Sequence, residues 1–371
     1  MNNIQTIVVQ PYLKKSREKK ESFLNEALSL VKAINLKCIF SGSAGLYKVN
    51  PRTYLNSGYV NFLKNKKQEM QVDLIFINTN LSPVQQRNLE KNTNCKIIDR
   101  TGLILEIFGS RAKSNEGKLS VLLASLEFQK SRLVRSWTHL ERQRGGAGFM
   151  GGPGEKQIES DKRQLTDQIN RLKKKIKKID MIRKIQRYRR IKNRIPLISL
   201  VGYTNSGKST LFNLITKSRV LSKDMLFASL DSTIRNAYFE NYKFIFIDTV
   251  GFIRDLPTTL IDAFKSTLDE IINSDLILHV RDVSNIQYLD QKNEVQKILQ
   301  EIGIPHGDKR ILEVINKVDL IDKDFQNNNY FNNNSIQISA RTGCGIKLLE
   351  KKILENLELK VKKPELFEQS N

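Results

Sequence analysis

The sequence predicts an α/β protein in two parts. A small N-terminal α/β domain carries a long antiparallel helical hairpin, and a phosphate-loop domain follows, with a mostly parallel sheet and helices on both faces. Three observations predict this. The apolar run 197–201 opens into Gly202-Tyr203-Thr204-Asn205-Ser206-Gly207-Lys208-Ser209-Thr210 and a helix-compatible segment, which is the strand, glycine loop and helix order of a phosphate-binding loop. Between 115 and 179 apolar residues recur at helical spacing on either side of a glycine-rich stretch,. Over 1–112 helix-like and strand-like segments alternate,. The expected domains are 1–112 (small α/β), 113–194 (basic helical hairpin with a glycine-rich tip), 195–360 (nucleotide domain) and a C-terminal tail, 361–371.

Length and composition bound the answer. A chain of 371 residues has room for two or three cores, and 39% apolar with 27% charged residues fits a globular protein,. No apolar run reaches the length of a membrane span, and the N-terminus lacks a signal-type core,. Cys38, Cys95 and Cys344 have no metal-type spacing and read as free thiols of a reducing, cytoplasmic compartment, with a peripheral membrane association left open,. The net charge of +23 calls for an anionic partner, nucleic acid first,.

In the first domain, 21–33 reads as a helix and 38–40 as a short apolar segment, followed by an irregular stretch punctuated by Gly42, Gly45, Pro51 and Gly58,. Residues 72–78 read as a buried strand, Ser82 as the cap of a helix over 83–91, and 96–99 as a second strand,. Asp99 and Arg100 read as a solvated strand end rather than a site pair. Leu119, Leu122, Leu123, Leu126, Leu133 and Leu140 fall near one helical face, as do Ile158, Leu165, Ile169, Leu172, Ile176 and Ile179 in the next helix,. Between them, 144–154 holds six glycines in eleven residues. Over 162–194 fifteen Lys or Arg stand against Asp167 and Asp180, a net of +13, so more than half of the excess charge lies on one helical arm. Such a single-sign run repels itself unless phosphates lie alongside.

Each loop residue has its own part to play. Gly202 and Gly207 let successive N–H groups turn inward around a diphosphate, Lys208 supplies a point charge to the outer phosphates, and Ser209 offers a hydroxyl to Mg²⁺,. Strand-like 243–247 ends in Asp248-Thr249-Val250-Gly251, where Asp248 would hold Mg²⁺ through water and the Gly251 N–H would meet a γ-phosphate,. Thr233, within Asp231-Ser232-Thr233, is the second hydroxyl candidate for Mg²⁺, in a region expected to order around triphosphate,. The apolar strand 310–315 delivers Asn316-Lys317-Val318-Asp319. The Asp319 carboxylate can accept two hydrogen bonds from guanine that adenine cannot offer, Lys317 would lie over the ring, and Asn316 would brace the phosphate loop,. Ser339-Ala340-Arg341 would bring the Ala340 N–H near guanine O6. Four such motifs in order, each at a strand's C-terminal end, predict a GTPase with GTP as substrate. Phe252 stands where many GTPases carry a water-orienting glutamine, so a slow enzyme is expected when alone, catalysis resting on Lys208, Thr233, Gly251 and another group,. Asn205 could hold K⁺ beside the phosphates, or only brace the loop,.

Taken together, the residues resemble a known family. Residues 248–257 (DTVGFIRDLP) with 263–268 (AFKSTL), 81–90 (LSPVQQRNLE), Asp99-Arg100-Thr101, Ile107-Phe108, Arg111-Ala112, 116–119 (EGKL) and 152–155 (GPGE) with Glu159 and Asp161 are similar to the HflX family of ribosome-associated translational GTPases, over roughly 70–357. The resemblance implies a GTPase that binds the large ribosomal subunit and its rRNA, splits stalled or idle ribosomes, and inserts the hairpin tip toward the peptidyl-transferase region. A monomer is expected. Thirty-one residues follow Ala340, room for one closing helix, so the further C-terminal domain of some members is not expected. The alternative is a GTP-gated, rRNA-binding ribosome assembly factor.

Overall fold

A computed structural model describes residues 4–14, 20–143, 153–218, 226–227, 232–240, 242–257, 260–261, 265–321 and 335–358. The glycine-rich 144–152, Asp231 and the tail 361–371, all singled out above, lie outside the described residues. The chain forms two compact units, Met1–Lys178 with Pro257–Ala263, and Ile179–Leu256 with Phe264–Asn371. Among the described residues no helix is long and apolar enough to cross a membrane.

The first unit is built on a four-stranded parallel sheet of β1 (Gln5–Leu13), β2 (Lys37–Leu46), β3 (Leu74–Ile77) and β4 (Lys96–Asp99), in the order β2-β1-β3-β4. Helices α1 (Lys20–Ala33), α2 (Ser57–Met70), α3 (Pro83–Thr93) and α4 (Arg100–Arg111) connect and cover it. Ile7, Val9, Ile75, Ile77 and Ile97 pack with Leu63 and Leu89 in one core cluster. Ser82 caps α3 in a reciprocal pair with Gln85, and Pro83 fits the first turn because no hydrogen bond is asked of its nitrogen,.

Two strands go beyond the sequence reading. β1 contains Pro11, but its pairing with β3 ends at Val9, so the missing N–H interrupts no bond to that neighbour,. β2 continues through Gly42 and Gly45 where an irregular stretch was expected, because the rings of Phe40, Tyr59 and Tyr12 fill the space that side chains there would need.

Asp99 and Arg100 are a correction. Instead of a solvated strand end they are buried, at 2% and 1% exposure. Arg100 donates to Asn78 Oδ1 at 2.6 Å and pairs with Glu26 at 2.5 Å, while Asn78 donates to Gln10 at 2.6 Å. Asp99 caps α4 through the Gly102 N–H and pairs with Arg132 at 2.6 Å. Burial nevertheless holds its carboxyl above the usual range, with Arg132 opposing the shift,.

Two long helices complete this unit, α5 (Asn115–Gln143) and the first part of α6 (Pro153–Lys192). Leu119, Leu123 and Leu126 of α5 pack with Leu165, Ile169, Leu172 and Ile176 of α6, and Lys173 pairs with Glu127 at 2.8 Å. Leu122 is off this seam and 48% exposed, since a helical face cannot hold both it and Leu123,.

The second unit has a six-stranded sheet, β10-β9-β8-β5-β7-β6, made of β5 (Leu197–Val201), β6 (Thr233–Phe239), β7 (Tyr242–Asp248), β8 (Leu276–Asp282), β9 (Ile311–Asn316) and β10 (Ser335–Gln337). All neighbours are parallel except β6 with β7. Its helices are the end of α6, α7 (Lys208–Thr216), α8 (Lys265–Ile272), α9 (Tyr288–Glu301) and α10 (Ile346–Glu358). Ile198, Leu200, Phe246, Leu278 and Val314 join Phe212 and Leu349 in its core. The near-continuous apolar strands suit a sheet covered on both faces.

The buried network of the first unit gives a prediction. Arg100→Ala leaves the Glu26 carboxylate and the Asn78 carbonyl without their guanidinium, and should cost about 3–5 kcal/mol, read as a lower urea midpoint. The double variant Arg100→Met/Glu26→Met should recover much of that loss. An Arg100→Ala midpoint equal to the parent's would show that the network contributes nothing.

Candidate functional site: a phosphate loop and its neighbours

Strand β5 is fully buried and enters the loop 202–207, from which α7 starts at Lys208. Gly207 has φ +90°, and a Cβ there would lie 2.2 Å from Asn316 Nδ2, so both backbone angle and space require glycine,. Asn205 takes φ +61° and is exposed, a conformation asparagine tolerates better than most side chains,. The hydroxyls of Thr204 and Ser206 are buried without a hydrogen-bond partner among the described residues, in the part of the loop where phosphate oxygens would be expected,.

Lys208 is 5% exposed and donates to the carbonyls of Gly202 (3.0 Å) and Tyr203 (2.7 Å). Burial pushes its pKa down to about 8, opposed by the Asp248 carboxylate,. Ser209 Oγ donates to Asp248 Oδ2 at 2.6 Å, joining a hydroxyl and a carboxylate as a hard divalent cation requires,. In the β6–β7 register Thr233 stands opposite Asp248. Gly251 comes against the loop: a Cβ on it would lie 2.9 Å from Thr204 Cα and 3.1 Å from Lys208 Nζ.

Beyond Gly251 the chain is zipped to the loop. Phe252 N–H donates to Gly202 O (3.0 Å), Thr204 N–H to Phe252 O (2.8 Å), and Arg254 N–H to the Tyr203 hydroxyl (3.0 Å). The Phe252 ring is 1% exposed, so it anchors this segment in the core and is unable to orient a water.

At the end of β9, Asn316 donates through Nδ2 to Ser206 O (2.9 Å) and accepts through Oδ1 from Ala340 N–H (3.0 Å). That N–H, expected near guanine O6, is thus engaged by Asn316. Ser339 is fully buried and accepts from Thr342 N–H at 3.1 Å. Lys317 pairs with Asp282 at 2.7 Å, while Asp319 and Arg341 are exposed and Thr210 sits in the first turn of α7. The structure therefore gathers the loop, Asp248, Gly251, Asn316 and Ala340 at the C-terminal ends of the parallel strands, the edge where open α/β sheets bind ligands. Sequence reasoning missed Asp282 and the Tyr203 hydroxyl. The apolar run 276–280 ending near an acid was the available signal for Asp282; Tyr203 was expected in the loop, but nothing in the sequence marked its hydroxyl's bond to Arg254.

The comparisons with known proteins agree with this geometry. Residues 21–109 match the family model "GTP-binding GTPase N-terminal", 111–190 "GTP-binding GTPase Middle Region" and 197–317 "50S ribosome-binding GTPase". A GTPase HflX of Magnetococcus marinus is 45% identical over 340 residues, 91% of this chain and 78% of that protein. The GTPase HflX of Escherichia coli is 39% identical over 361 residues, 95% and 83%. The crystal structure of an SsGBP–GDP complex is 26% identical with a TM-score of 0.50, covering 96% of this chain and all of that one.

A phosphate loop, an acid at the end of the adjacent strand and an Asn-Lys-x-Asp loop on one sheet edge, with these matches, define a GTPase that binds GTP and GDP and hydrolyses GTP. Within that class, the chain belongs to the HflX family.

The lowered pKa of Lys208 has a signed consequence. Phosphate favours the ammonium, so the bound pKa lies above the free value of about 8. Nucleotide affinity should be flat below that pH and fall above it, by up to about tenfold per unit. Calorimetry of GDP binding in buffers of different ionisation heat should show proton uptake rising between about pH 7.5 and pH 9. Constant uptake across that range would contradict a neutralised free lysine.

Proposed function

We propose that this GTPase binds the large ribosomal subunit through its basic arm and couples GTP binding or hydrolysis to the dissociation of stalled or idle ribosomes. The observation that carries the reading is the net +13 over 162–194, on a helix that leads through Ile195-Pro196 into the phosphate-loop strand. The description "50S ribosome-binding GTPase" for the model matching 197–317 supports the same partner. The alternative, an assembly factor that marks a maturing subunit, would share the charge and the GTP site. The glycine-rich stretch between two long helices favours dissociation, because a plain RNA clamp has no need of a projecting probe.

In this reading the loop 202–210 cradles the phosphates, and the Gly251 N–H meets the γ-phosphate beside Lys208. Asp319 accepts from the guanine N1–H and 2-amino group, and Lys317 lies over the ring. Guanine O6 shares the Ala340 N–H with Asn316, in a loop completed by Ser339 and Arg341. Ser209 and Thr233, with Asp248 through water, would hold Mg²⁺, which would neutralise phosphate charge when bound. The buried Phe252 leaves water orientation to another group. Asn205, exposed in the loop, would assist a K⁺ ion beside the phosphates.

Purified ribosomes sedimented with this protein and a non-hydrolysable GTP analogue should run as free subunits. Association with unfinished subunits alone would favour the assembly reading. Deleting 145–152 should spare basal hydrolysis and much of the salt-sensitive binding yet abolish splitting; undiminished splitting would make that stretch a mere connector. Asp319→Asn should exchange GTP for xanthosine triphosphate as the preferred nucleotide, in competition binding against both. Hydrolysis should be faster in K⁺ than in Na⁺ at matched ionic strength, and Asn205→Ser should erase the difference.

A further inference from the structure

The end of α6 shows two unlike faces. Arg187 and Arg190 converge on Glu270 of α8, at 3.8 Å and 3.3 Å, and all three side chains are largely buried. Within the second unit, this clamp fixes one side of the helix end against α8. The opposite side carries Met181, Ile185 and Tyr188, spaced by four and three residues, at 60%, 56% and 71% exposure,. Ile182 and Ile191 beside them are also exposed. Large apolar side chains in such a row are unusual on a free surface.

The charges on that face narrow the choice of partner. Over 181–194 there are seven Lys or Arg and no acid. Lys184, Arg189 and Lys192 are exposed. At 3.6 residues per turn Lys184 falls between Ile191 and Tyr188, and Lys192 between Met181 and Ile185. Cations are therefore interleaved with the apolar residues rather than set apart from them. A helix lying in a lipid interface needs segregated faces, so that its apolar side is buried whole. Interleaving suits RNA, in which base faces and phosphates alternate within a few ångströms, and an exposed aromatic ring offers a base a stacking partner.

We propose that the outer face of α6 around Tyr188 is an RNA platform that stacks an unpaired nucleotide on the Tyr188 ring while Lys184, Arg189 and Lys192 hold the flanking phosphates. The proposal rests on the RNA-binding part of the function above and deepens it, naming single-stranded or bulged RNA, not duplex, as the preferred partner at this face. The clamp to Glu270 keeps the platform turned outward.

The test uses the full chain and two labelled RNAs with equal numbers of phosphates, a hairpin with a single-stranded loop and a blunt duplex, followed by fluorescence anisotropy. The protein should bind the looped RNA about tenfold more tightly, as expected for one stacked base. Tyr188→Ala should remove that preference with little change toward the duplex, and Tyr188→Phe should restore it. Lys184→Gln with Lys192→Gln should weaken both RNAs and lower the salt dependence. Unchanged basal GTP hydrolysis serves as the folding check. Equal affinity of the parent protein for both RNAs, or a loop preference that survives Tyr188→Ala, overturns the platform. So does Tyr188-dependent binding to anionic phosphatidylglycerol vesicles without such dependence for RNA. Ribosome splitting that is indifferent to Tyr188→Ala, with no loop preference, sinks the platform and leaves the ribosome reading standing. Tyr188-dependent RNA binding without subunit association does the reverse.

Discussion

One side-chain amide, that of Asn316, holds the nucleotide edge of the second unit together. It gives a proton to the Ser206 carbonyl and takes one from the Ala340 amide, at 2.9 and 3.0 Å, from a position 2% exposed. A carboxylate of the same shape would set oxygen against the Ser206 carbonyl, and an apolar side chain would leave buried polar groups unmatched. The sheet order puts β9 and β10 on one side of β8 and β5 on the other, so this amide is what ties the loop after β5 to the loop after β10. The absence of a side chain at Gly207 is the counterpart: the amide occupies the space a Cβ would take. Two distant sequence motifs thus owe their joint geometry to one residue.

The phosphate loop is kept open by similar means. A buried ammonium is costly unless it is satisfied, and Lys208 has two carbonyls and the neighbouring Asp248 for that purpose,. The segment after Gly251 is held along the loop's far side by backbone hydrogen bonds and by the core position of Phe252. Phe252 is therefore structural, since its buried ring and backbone bonds hold the segment after Gly251 against the loop.

The parts legible in the sequence were those in which local backbone chemistry dictates residue type. Asp248 and Asn316 end strands, and Gly207 and Lys208 stand where the loop after β5 turns into α7, so a special angle, a charge or an amide is needed within a few positions. The apolar spacing of Leu165, Ile169, Leu172 and Ile176 likewise marked a real seam. What escaped depends on pairing across long separations. Asp99 and Arg100 look like a surface pair until Arg132 and Glu26, 33 and 74 positions away, are brought beside them. Strands β1 and β2 were hidden by Pro11, Gly42 and Gly45, residues that normally argue against a strand and are accommodated here by a missing neighbour and by aromatic packing. The Tyr203 hydroxyl bond to Arg254 crosses 51 positions with no local pattern to announce it.

The clamp on Glu270 also bears on which parts of the chain unfold together. Ser274 donates to the Glu270 carbonyl and shares a hydrogen bond with Ser199 of β5, both buried, so α6, α8 and the central strand are linked by a chain of polar groups. A helix end usually frays first, since its last carbonyls lack intrahelical partners. Here fraying would strand the Glu270 carboxylate in the interior. The final turns of α6 are thereby committed to the cooperative unit of the sheet, and their amides should resist hydrogen exchange along with those of β5 rather than with those of a free helix terminus.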